Sequence, residues 1–487
     1  MLEAMVTSAE PSKGDDNRPA SEKFCIIGAG PSGLAMAAEF RRLGLAYDHF
    51  ERHTRLGGIW EIDNPGSPMY ESAHFISSRT QSAFAGFPMP EDYPDYPRHD
   101  QILQYLRSFA AYHHVEESIR FGVEVTSVVP ARGFAEVTAD GEQTRYRAVV
   151  CASGVNWEPL IPEIEGTFSG ELRHAVTYRS SQEFAGKRVV IVGLGNSGAD
   201  IACDAARSAR RAIVSVRRGY HFVPKHIFGM PADVFAHEGP HLPLWLERPL
   251  FRLLMRLLVG NTERLGMPKP NHAVLDSHPL MNDQLVHHLR HGDVELRGDV
   301  QRFDGSRVVF GDGSHVEADL VLLATGYTRR IPYLSSEFLD GSSWAAGNFL
   351  TCLSRRYDSL FTLGFAELNG ALYPHLSRLS AIIGQVCHRL LHDPAAAEQF
   401  YAWLATKNFD LTGGRKLIAT PRHAHYCDEH ALLVASQKVL RQLGVSTKAL
   451  AQVPSQRALP GAKPNPEEKP SPESSPPATP RVPAARG

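Results

Sequence analysis

An α/β fold with two Rossmann-like dinucleotide-binding domains is predicted from two features of this 487-residue sequence. A unit made of an apolar strand, a G-x-G-x-x-G loop and a helix occurs twice, starting near residues 23 and 188. The strand that follows each unit ends in charged residues, acidic after the first unit and basic after the second. One such glycine motif is weak evidence, but two copies in this strand-and-helix context are specific.

The first copy places the apolar strand 23–27 before a loop that contains Gly28, Gly30 and Gly33. In that order, these glycines permit a tight turn, a close approach of the backbone to a pyrophosphate, and close packing of helix against strand. The N–H groups at the start of the helix can then bind the diphosphate. The next strand ends in Glu51, whose carboxylate can bind ribose hydroxyls and disfavours a 2′-phosphate. The first site is therefore predicted to hold FAD or NAD.

The second copy joins the apolar strand 188–192 to the glycine loop 193–198 and a helix. The strand after that helix ends in Arg217 and Arg218. Two guanidinium groups in place of a carboxylate favour a 2′-phosphate, and hence NADPH over NADH. One site for each type of dinucleotide indicates hydride transfer from NADPH to a flavin.

Five further motifs resemble those of the flavin-containing monooxygenases, over about residues 22–390. They are F-x-G-x-x-x-H-x-x-x-[YF]-[KR] at 168–179, G-G-x-W at 57–60, G-N-S-x-x-D at 195–200, F-P-x-P-x-x-[FY]-P at 87–94 and A-T-G-Y at 324–327. The related Baeyer–Villiger group has Trp and then Pro or Asp where this chain has Tyr178 and Arg179. The resemblance therefore favours the branch that oxidises amines and sulfides, or a divergent relative of it.

This resemblance implies a monooxygenase that uses NADPH and O2. NADPH would reduce FAD, oxygen would add to give a flavin C4a-hydroperoxide, and a soft nucleophile of a small molecule, an amine nitrogen or a sulfide, would be oxygenated. The alternatives are Baeyer–Villiger-type or biosynthetic oxygenation of a carbonyl or natural-product intermediate, a largely uncoupled NADPH oxidase, and a dinucleotide-binding regulator without turnover. A flavin disulfide reductase is disfavoured, because the six cysteines include no closely spaced pair.

The resemblance also implies roles for individual residues. The expected FAD contacts are Gly28, Ala29, Gly30, Ser32, Gly33, Glu51, Arg52, Gly58, Ile59, Trp60, Val125 and Asn369. The expected NADPH contacts are Gly193, Gly195, Asn196, Ser197, Gly198, Arg217 and Arg218. The residues expected around the reactive flavin are Trp60, Ile76, Ser77 and Ser78.

One position departs from the family pattern. The family carries Y-x-x-x-x-x-N, and its Asn helps to hold NADP⁺ and the peroxyflavin, whereas this chain has Tyr70 followed six residues later by Ile76. An isoleucine side chain cannot donate a hydrogen bond. Either Ser77, Ser78 or His74 replaces that donor, or the hydroperoxide is less protected. The second case predicts more NADPH oxidation without product than in typical members.

The domain boundaries also follow from the resemblance, in which Ala-Ser/Thr-Gly segments mark the crossings between domains. The predicted parts are tails at 1–21 and 453–487, a discontinuous FAD domain at 22–154 and 319–452, and an inserted NADPH domain at 155–318 with its own insert at 222–286. The polar, Pro-rich composition of the tails predicts disorder. Within the insert, residues 250–259 predict a helix that begins after Pro249. A lid over the substrate entrance, a contact with a membrane surface or with a second copy in a homodimer, and core packing all remain open for it.

Composition and motif content exclude several classes of binding partner for this chain. The formal net charge of −2 gives no reason to expect nucleic acid binding. The sequence lacks a signal peptide and an apolar run long enough to span a bilayer, so a cytoplasmic location is expected. The 23 histidines include no H-E-x-x-H pattern, and no metal site is predicted. The expected partners are O2 and a small-molecule substrate.

Overall fold

The computed structural model describes residues 22–239, 243–274, 276–277, 279–339, 348–415 and 426–446. Both predicted tails lie outside the described residues, so their disorder stays a prediction. The α-helices of the described chain are α1 (Pro31–Arg42), α2 (His99–Tyr112), α3 (Asn196–Ser208), α4 (Ala232–Glu238), α5 (Leu244–Leu258), α6 (Gln284–His291), α7 (Tyr373–His392), α8 (Pro394–Ala405) and α9 (Glu429–Gln442).

The strands fall into three stretches of the chain. The first stretch has β1 (Phe24–Ile27), β2 (Tyr47–Glu51), β3 (Ile119–Phe121), β4 (Val125–Pro130), β5 (Ala135–Ala139), β6 (Glu142–Tyr146) and β7 (Ala148–Cys151). The second has β8 (Glu158–Pro159), β9 (Glu165–Phe168), β10 (Glu171–His174), β11 (Arg188–Val192), β12 (Arg211–Ser215), β13 (Phe222–Val223), β14 (His226–Ile227), β15 (Met230–Pro231), β16 (Leu280–Met281), β17 (Val294–Arg297), β18 (Val300–Gly305), β19 (Arg307–Phe310), β20 (His315–Glu317), β21 (Leu320–Leu323) and β22 (Tyr327–Thr328). The third has β23 (Leu360–Thr362), β24 (Glu367–Leu368) and β25 (Tyr426–Cys427).

The first sheet is parallel, with the strand order β23-β7-β1-β2-β3. Strands β1 and β7 are buried along their whole length, as expected of parallel strands covered on both faces. Helices α1 and α7 pack together closely, and a methyl group on Gly384 of α7 would lie 2.7 Å from Cγ of Glu39 in α1. The antiparallel sheet β4-β5-β6 lies beside β7 and completes this part of the molecule.

The second sheet is also parallel, with the order β10-β21-β11-β12-β17. One of its faces packs through Ile191 and Leu322 against Ile201 of α3. The other face packs through Val190 against Phe310 of the four-stranded sheet β20-β19-β18-β9. The predicted pair of Rossmann-like sheets is therefore confirmed.

The chain leaves the first sheet after β7 and returns to it with β23, so the second sheet is inserted within the first domain. One predicted boundary is wrong. The segment from residue 319 was assigned to the FAD domain, but β21 (320–323) pairs in parallel with both β10 and β11 of the second sheet. An apolar run shows that a strand is buried, but it does not show which sheet supplies its hydrogen-bonding neighbours.

The two ends of the insert at 222–286 lie side by side, because β13 at its start pairs with β16 near its end. The predicted start of its helix is wrong, since α5 begins at Leu244 and contains Pro249. The proline removes one hydrogen bond from the helix, but it lies on an exposed face where water can satisfy the freed carbonyl group. None of the helices in the described part of the chain has the length and apolar character needed to cross a bilayer.

Candidate functional site

The first glycine loop is closely surrounded by its own chain. A methyl group on Gly33 would lie 1.8 Å from the carbonyl oxygen of Gly28, so only glycine allows this contact between helix and loop. Gly30 is the N-cap of α1, and no side chain caps this end of the helix. A methyl group on Gly58 would lie 2.9 Å from Cα of Gly30. The loop at 28–33 and the G-G-x-W segment are therefore packed backbone against backbone.

Glu51 lies at the end of β2 and is only 5% exposed. Its Oε2 accepts a hydrogen bond of 2.6 Å from the N–H of Ala29, and its Oε1 accepts one of 2.9 Å from the N–H of His53. Burial alone would raise the pKa of Glu51, but the His53 side chain and these two N–H groups outweigh it and hold that pKa below its usual value. The charged carboxylate thus fixes the loop, and its remaining lone pairs can accept a ribose hydroxyl.

Three residues that hold this site were not predicted from the sequence. Nδ2 of Asn64 donates a hydrogen bond of 3.0 Å to the carbonyl oxygen of Gly58, and Oγ of Ser67 donates one of 2.6 Å to that of Ile59. Nε2 of His49, a fully buried residue, lies 2.9 Å from the carbonyl oxygen of Gly28. The turn-forming stretch 64–67 after the G-G-x-W motif was the available signal for the first two, and a histidine in the strand that ends in Glu51 was the signal for the third.

The remaining residues predicted to contact FAD lie in several places. Ser32 is buried in the first turn of α1, close to Gly364, where an added methyl group would meet Oγ of Ser32 at 2.0 Å. Arg52 is exposed, and its guanidinium lies 4.6 Å from the ring centre of Trp157. Val125 is buried at the start of β4 and packs in the same cluster as Phe50.

Asn369 follows β24 and uses its side chain within the protein. Its Nδ2 donates a hydrogen bond of 3.0 Å to Asp428, and its Oδ1 accepts one of 2.7 Å from the N–H of Glu429. These bonds tie it to the start of α9. Any contact that Asn369 makes with FAD must therefore use its second Nδ2 hydrogen, the other lone pair of its Oδ1 or its backbone.

Trp60 is 9% exposed and lies edge-on to Phe75, with 5.2 Å between the ring centres. Phe75 in turn lies 5.4 Å from the ring of Tyr373 in α7. The G-G-x-W segment therefore packs against the segment that carries the departure at Ile76. The side chain of Ile76 itself is 41% exposed.

The three candidate donors near Ile76 differ in their surroundings. Ser78 is buried, and its N–H donates a hydrogen bond of 2.6 Å to Asp233 of α4. Oγ of Ser77 accepts a hydrogen bond of 2.7 Å from Oγ of Ser82. His74 is exposed, with Nδ1 only 2.9 Å from the carbonyl oxygen of Ser72. Ser77 keeps its own hydroxyl hydrogen, and the hydroxyl of Ser78 lies 3.1 Å from that of Thr80, so both serines stay candidate donors.

The second glycine loop is enclosed at Gly198, where an added methyl group would lie 2.5 Å from the carbonyl oxygen of Gly193, but it is open at its middle glycine. A methyl group on Gly195 would meet no protein atom within 4 Å. Gly195 is the N-cap of α3, and no side chain caps this end of the helix. Oδ1 of Asn196 accepts a hydrogen bond of 3.2 Å from the N–H of Met281, whereas Ser197 is exposed. This uncapped end leaves room for a diphosphate.

Arg217 and Arg218 follow β12 and remain accessible. Arg217 is exposed, and the guanidinium of half-buried Arg218 lies 5.6 Å from the ring centre of Tyr220. Burial, followed by the charges of His221 and Arg218, lowers the pKa of nearby His272. The end of this strand is therefore a cationic surface that suits a 2′-phosphate.

The fingerprint segment 168–179 connects the two loop regions. The hydroxyl of Tyr178 donates a hydrogen bond of 2.8 Å to Oδ2 of Asp204 in α3, and the hydroxyl of Ser72 donates one of 2.5 Å to the same oxygen. Arg179 donates a hydrogen bond of 3.2 Å to the carbonyl oxygen of Met69. The helix after the second loop is thereby joined to the segment that packs on Trp60.

His174 of the same fingerprint stabilises a turn. Its Nδ1 accepts a hydrogen bond of 3.1 Å from the N–H of Val176, so its Nε2 carries the proton and donates to the carbonyl oxygen of Gly326 at 3.0 Å. Burial lowers the pKa of His174, which favours this neutral form. Its contacts are structural ones between the fingerprint and the A-T-G-Y motif.

The cysteines do not supply a redox pair to this site. All six are buried and unpaired. Burial raises the pKa of the Cys151 thiol to about 12 and that of Cys203 to about 12, which suppresses the reactive thiolate form. Among the described residues, no group of three or more His, Cys, Asp or Glu side chains is placed to hold a metal ion.

Comparison with known proteins agrees with this geometry. The profile of a family described as flavin-binding monooxygenase-like (FMO-like) matches residues 21–408. The probable indole-3-pyruvate monooxygenase YUCCA9 of Arabidopsis thaliana is 30% identical over 358 residues, which are 70% of this chain and 84% of that protein. Flavin-containing monooxygenase 5 of Homo sapiens is 31% identical over 339 residues, which are 64% of this chain and 63% of that protein.

Solved structures support the fold alone, because their sequence identity is low. A cyclohexanone monooxygenase bound to epsilon-caprolactone aligns with a TM-score of 0.65 and 19% identity over 86% of this chain and 98% of its own. The S-allyl-L-cysteine S-oxygenase of Allium sativum aligns with a TM-score of 0.58 and 21% identity over 87% of this chain and 89% of its own.

Proposed function

Because this chain belongs to the flavin-binding monooxygenase-like family and is an NADPH- and O2-dependent monooxygenase that uses FAD, we propose that it oxygenates a soft nucleophile, an amine nitrogen or a sulfide, of a small molecule. We further propose that the reaction passes through a flavin C4a-hydroperoxide. The observation that carries this proposal is the pairing of two unlike nucleotide loops through the fingerprint segment. Glu51 is buried beside the first loop, whereas Arg217 is exposed beside the second.

FAD fits the enclosed loop. The uncapped start of α1 and the close approach of Gly30 to Gly58 leave a backbone surface that suits a diphosphate, and Glu51 would bind the ribose. Bound there, FAD supplies the hydride acceptor and the oxygen chemistry. The chain's own contribution near the flavin would be to hold Gly58 and Ile59 in place through Asn64 and Ser67.

NADPH fits the open loop for a related reason. The space at Gly195 admits a diphosphate against the start of α3, and Arg217 and Arg218 would bind the 2′-phosphate. The hydrogen bond between Tyr178 and Asp204 would hold α3 in a fixed position relative to the segment that packs on Trp60. The protein would thus orient the two cofactors, and its aromatic packing around Trp60 would exclude water from the reaction.

Oxygenation of a carbonyl compound is the second candidate. Two relatives, YUCCA9 and the 31% identical YUCCA1 of Oryza sativa subsp. japonica, are named for indole-3-pyruvate, a 2-oxo acid. The departure at Ile76 supports a further difference from amine- and sulfide-oxidising members. If none of Ser77, Ser78 and His74 replaces the missing donor, the departure predicts more oxidation of NADPH without product than in typical members.

One experiment separates these functions. FAD-loaded protein is mixed with NADPH or NADH without oxygen to measure flavin reduction, and oxygen is then added with amines, sulfides, ketones or 2-oxo acids. We expect rapid reduction by NADPH, oxygen uptake and an oxygenated amine or sulfide identified by mass spectrometry. Products from ketones or 2-oxo acids alone would favour the second candidate. Absence of both flavin reduction and oxygen uptake would support a regulator and contradict both candidates.

The proposed uncoupling has its own measurement. Stopped-flow spectra after oxygen addition follow the lifetime of the C4a-hydroperoxide, and hydrogen peroxide is measured at the same time. We expect a short-lived intermediate and abundant peroxide, with improved coupling in the variant Ile76→Asn. A hydroperoxide that persists for minutes in the unmodified protein would contradict this reading of Ile76.

A further inference from the structure

An exposed apolar stripe runs along α5 in the insert. Leu246, Leu250, Leu253 and Leu257 recur at spacings of four, three and four residues, so they share one face of the helix. Their exposed fractions are 39%, 52%, 55% and 74%. A helix that serves only to pack against its own protein turns such a stripe inward. Here the stripe faces outward.

A second stripe borders the first. Trp245 is 76% exposed and stands seven and eleven residues before Arg252 and Arg256, both of which are exposed. These spacings place the three side chains along one line beside the leucines. Arg248 forms an ion pair with Asp276, whereas Glu247 is the single acidic residue of the helix. The exposed face is therefore apolar with a cationic, Trp-containing edge.

The opposite face of α5 is held firmly. Met255 is buried in a cluster with Val223 and Ile227, and Phe251 and Leu254 pack against that cluster. The outward direction of the leucine stripe is thus set by contacts on the other side of the helix. The stripe is not the result of a helix that lacks packing altogether.

A neighbouring hairpin also exposes a large apolar side chain. Phe228 lies in the turn between β14 and β15, is 72% exposed and has a positive φ of 50°. This left-handed conformation is unfavourable for a bulky residue, and such hairpin turns favour Asn or Asp before glycine. Its ring contacts Phe235, which packs against the same cluster as α5. Turn geometry does not explain this phenylalanine, and after its contact with Phe235 most of its side chain still faces solvent.

We propose that α5 docks on the surface of a membrane that contains anionic lipids. Its apolar stripe would lie in the interface and its arginines beside the headgroups. A 15-residue helix is about 22 Å long, which suits a helix lying in the plane of the interface. Tryptophan and arginine at the edge of a leucine face are typical of such helices. A second copy of the chain fits less well, because antiparallel pairing of two α5 helices about a two-fold axis would bring their arginine edges together.

The docked helix would lie near the site. Asp233, in the same insert, accepts the hydrogen bond from the N–H of Ser78, two residues from Ile76. An apolar compound dissolved in the bilayer would then reach the protein beside the segment that departs from the family pattern. This proposal does not rest on the proposed function, because it concerns a surface and its partner.

The test uses the full, FAD-loaded chain and lipid vesicles in a flotation gradient. The vesicles contain phosphatidylcholine alone or with roughly a quarter phosphatidylglycerol. We expect binding to the anionic vesicles that weakens between about 0.05 M and about 0.5 M salt. The double variant Leu253→Glu/Leu257→Glu should bind at least about tenfold more weakly, because two exposed leucines leave the interface.

Two further variants act as controls. Arg252→Gln and Arg256→Gln should each weaken binding to anionic vesicles about fivefold and leave binding to neutral vesicles unchanged. Ile161→Glu changes an apolar residue that is 63% exposed outside the insert and should bind like the unmodified chain. Equal loss in the Ile161 variant would overturn the assignment to α5.

A fluorescence measurement on the unmodified helix does not depend on how the glutamate variants fold. Lipids with brominated acyl chains should quench the fluorescence of Trp245, measured as the difference between the unmodified chain and Trp245→Phe. Absence of this quenching, or of vesicle binding, overturns the proposal. So does a dimer seen in sedimentation equilibrium without lipid and abolished by Leu253→Glu/Leu257→Glu, because a second copy would then cover the stripe.

Discussion

The two glycine loops share a motif but differ in how the chain surrounds them. Beside the first loop Glu51, which is proposed to bind the ribose, is buried and already accepts a hydrogen bond from the N–H of Ala29. In the second loop Gly195 faces open space, and Arg217 is exposed. The first arrangement suits a cofactor that stays bound, and the second suits one that exchanges. Substitution at Gly33 should therefore affect folding, whereas substitution at Gly195 should affect cofactor binding alone.

The largest expected difference is between Gly33→Ala and Gly195→Ala. The first adds a methyl group 1.8 Å from the carbonyl oxygen of Gly28, so the helix must shift, at a cost of about 3 kcal/mol in the free energy of unfolding. The second should change stability by less than about 0.5 kcal/mol. It should weaken NADPH binding about tenfold or more, because the methyl group occupies the space of the diphosphate. Urea denaturation measures the free energy of unfolding, and titration measures the affinity for NADPH. Equal loss of stability in the two variants would contradict the proposed difference between the two positions.

The next effect concerns the choice of nucleotide. In Arg217→Ala/Arg218→Ala, two charge-assisted contacts with the 2′-phosphate are lost, so KM for NADPH should rise about 100-fold while that for NADH stays unchanged. Initial rates of flavin reduction with each nucleotide measure this. The matched control is Arg302→Ala, an exposed arginine on β18. A parallel rise for both nucleotides would show that the arginines do not contact the 2′-phosphate.

A smaller effect is expected for Glu51→Gln, which should lower the free energy of unfolding by about 2 kcal/mol at neutral pH. The pKa of Glu51 is lowered in the folded chain, so its contribution is complete above about pH 4.5 and is lost as the pH falls further. The difference between variant and unmodified protein should therefore shrink on acidification below that value. Denaturation at several pH values checks this, with the exposed Glu142→Gln as control. A difference independent of pH would exclude a role for the charge.

The smallest effect concerns the connection between the two regions. Tyr178→Phe removes the hydrogen bond to Asp204, which keeps its bonds from Ser72 and Arg207, so the loss should be about 1 kcal/mol with unchanged FAD content. Thermal denaturation and flavin absorbance measure these. Tyr112→Phe, at the half-exposed end of α2, should change neither. Loss of FAD in the Tyr178 variant would show that the two regions are less independent than their geometry indicates.

Much of this organisation could be read from local sequence. Strand β11 (188–192) was predicted residue for residue, because a short apolar run before a glycine loop favours a buried strand. The start of α5 was misplaced because Pro249 usually begins a helix, and its tolerance within one depends on exposure to water.

The interior contacts of the site were harder to predict. Asn64 and Ser67 act on Gly58 and Ile59 through a turn whose shape no local pattern specifies. The assignment of β21 to the second sheet required knowledge of its neighbours. The roles given to Ile76, Ser77 and Ser78 remain predictions, since the sequence does not show which groups the fold places beside these side chains.

The sequence by itself determined the two nucleotide-binding units and the charge at the end of each following strand. These depend on backbone conformation and side-chain type within about 30 residues, where spacing dictates position. Only the tertiary structure decided that the middle glycine of the first loop lies against Gly58 while that of the second is open, and which face of α5 points to solvent. Those properties arise from residues far apart in the chain, such as Gly30 with Gly58 and Met255 with Val223, whose packing no periodic pattern encodes.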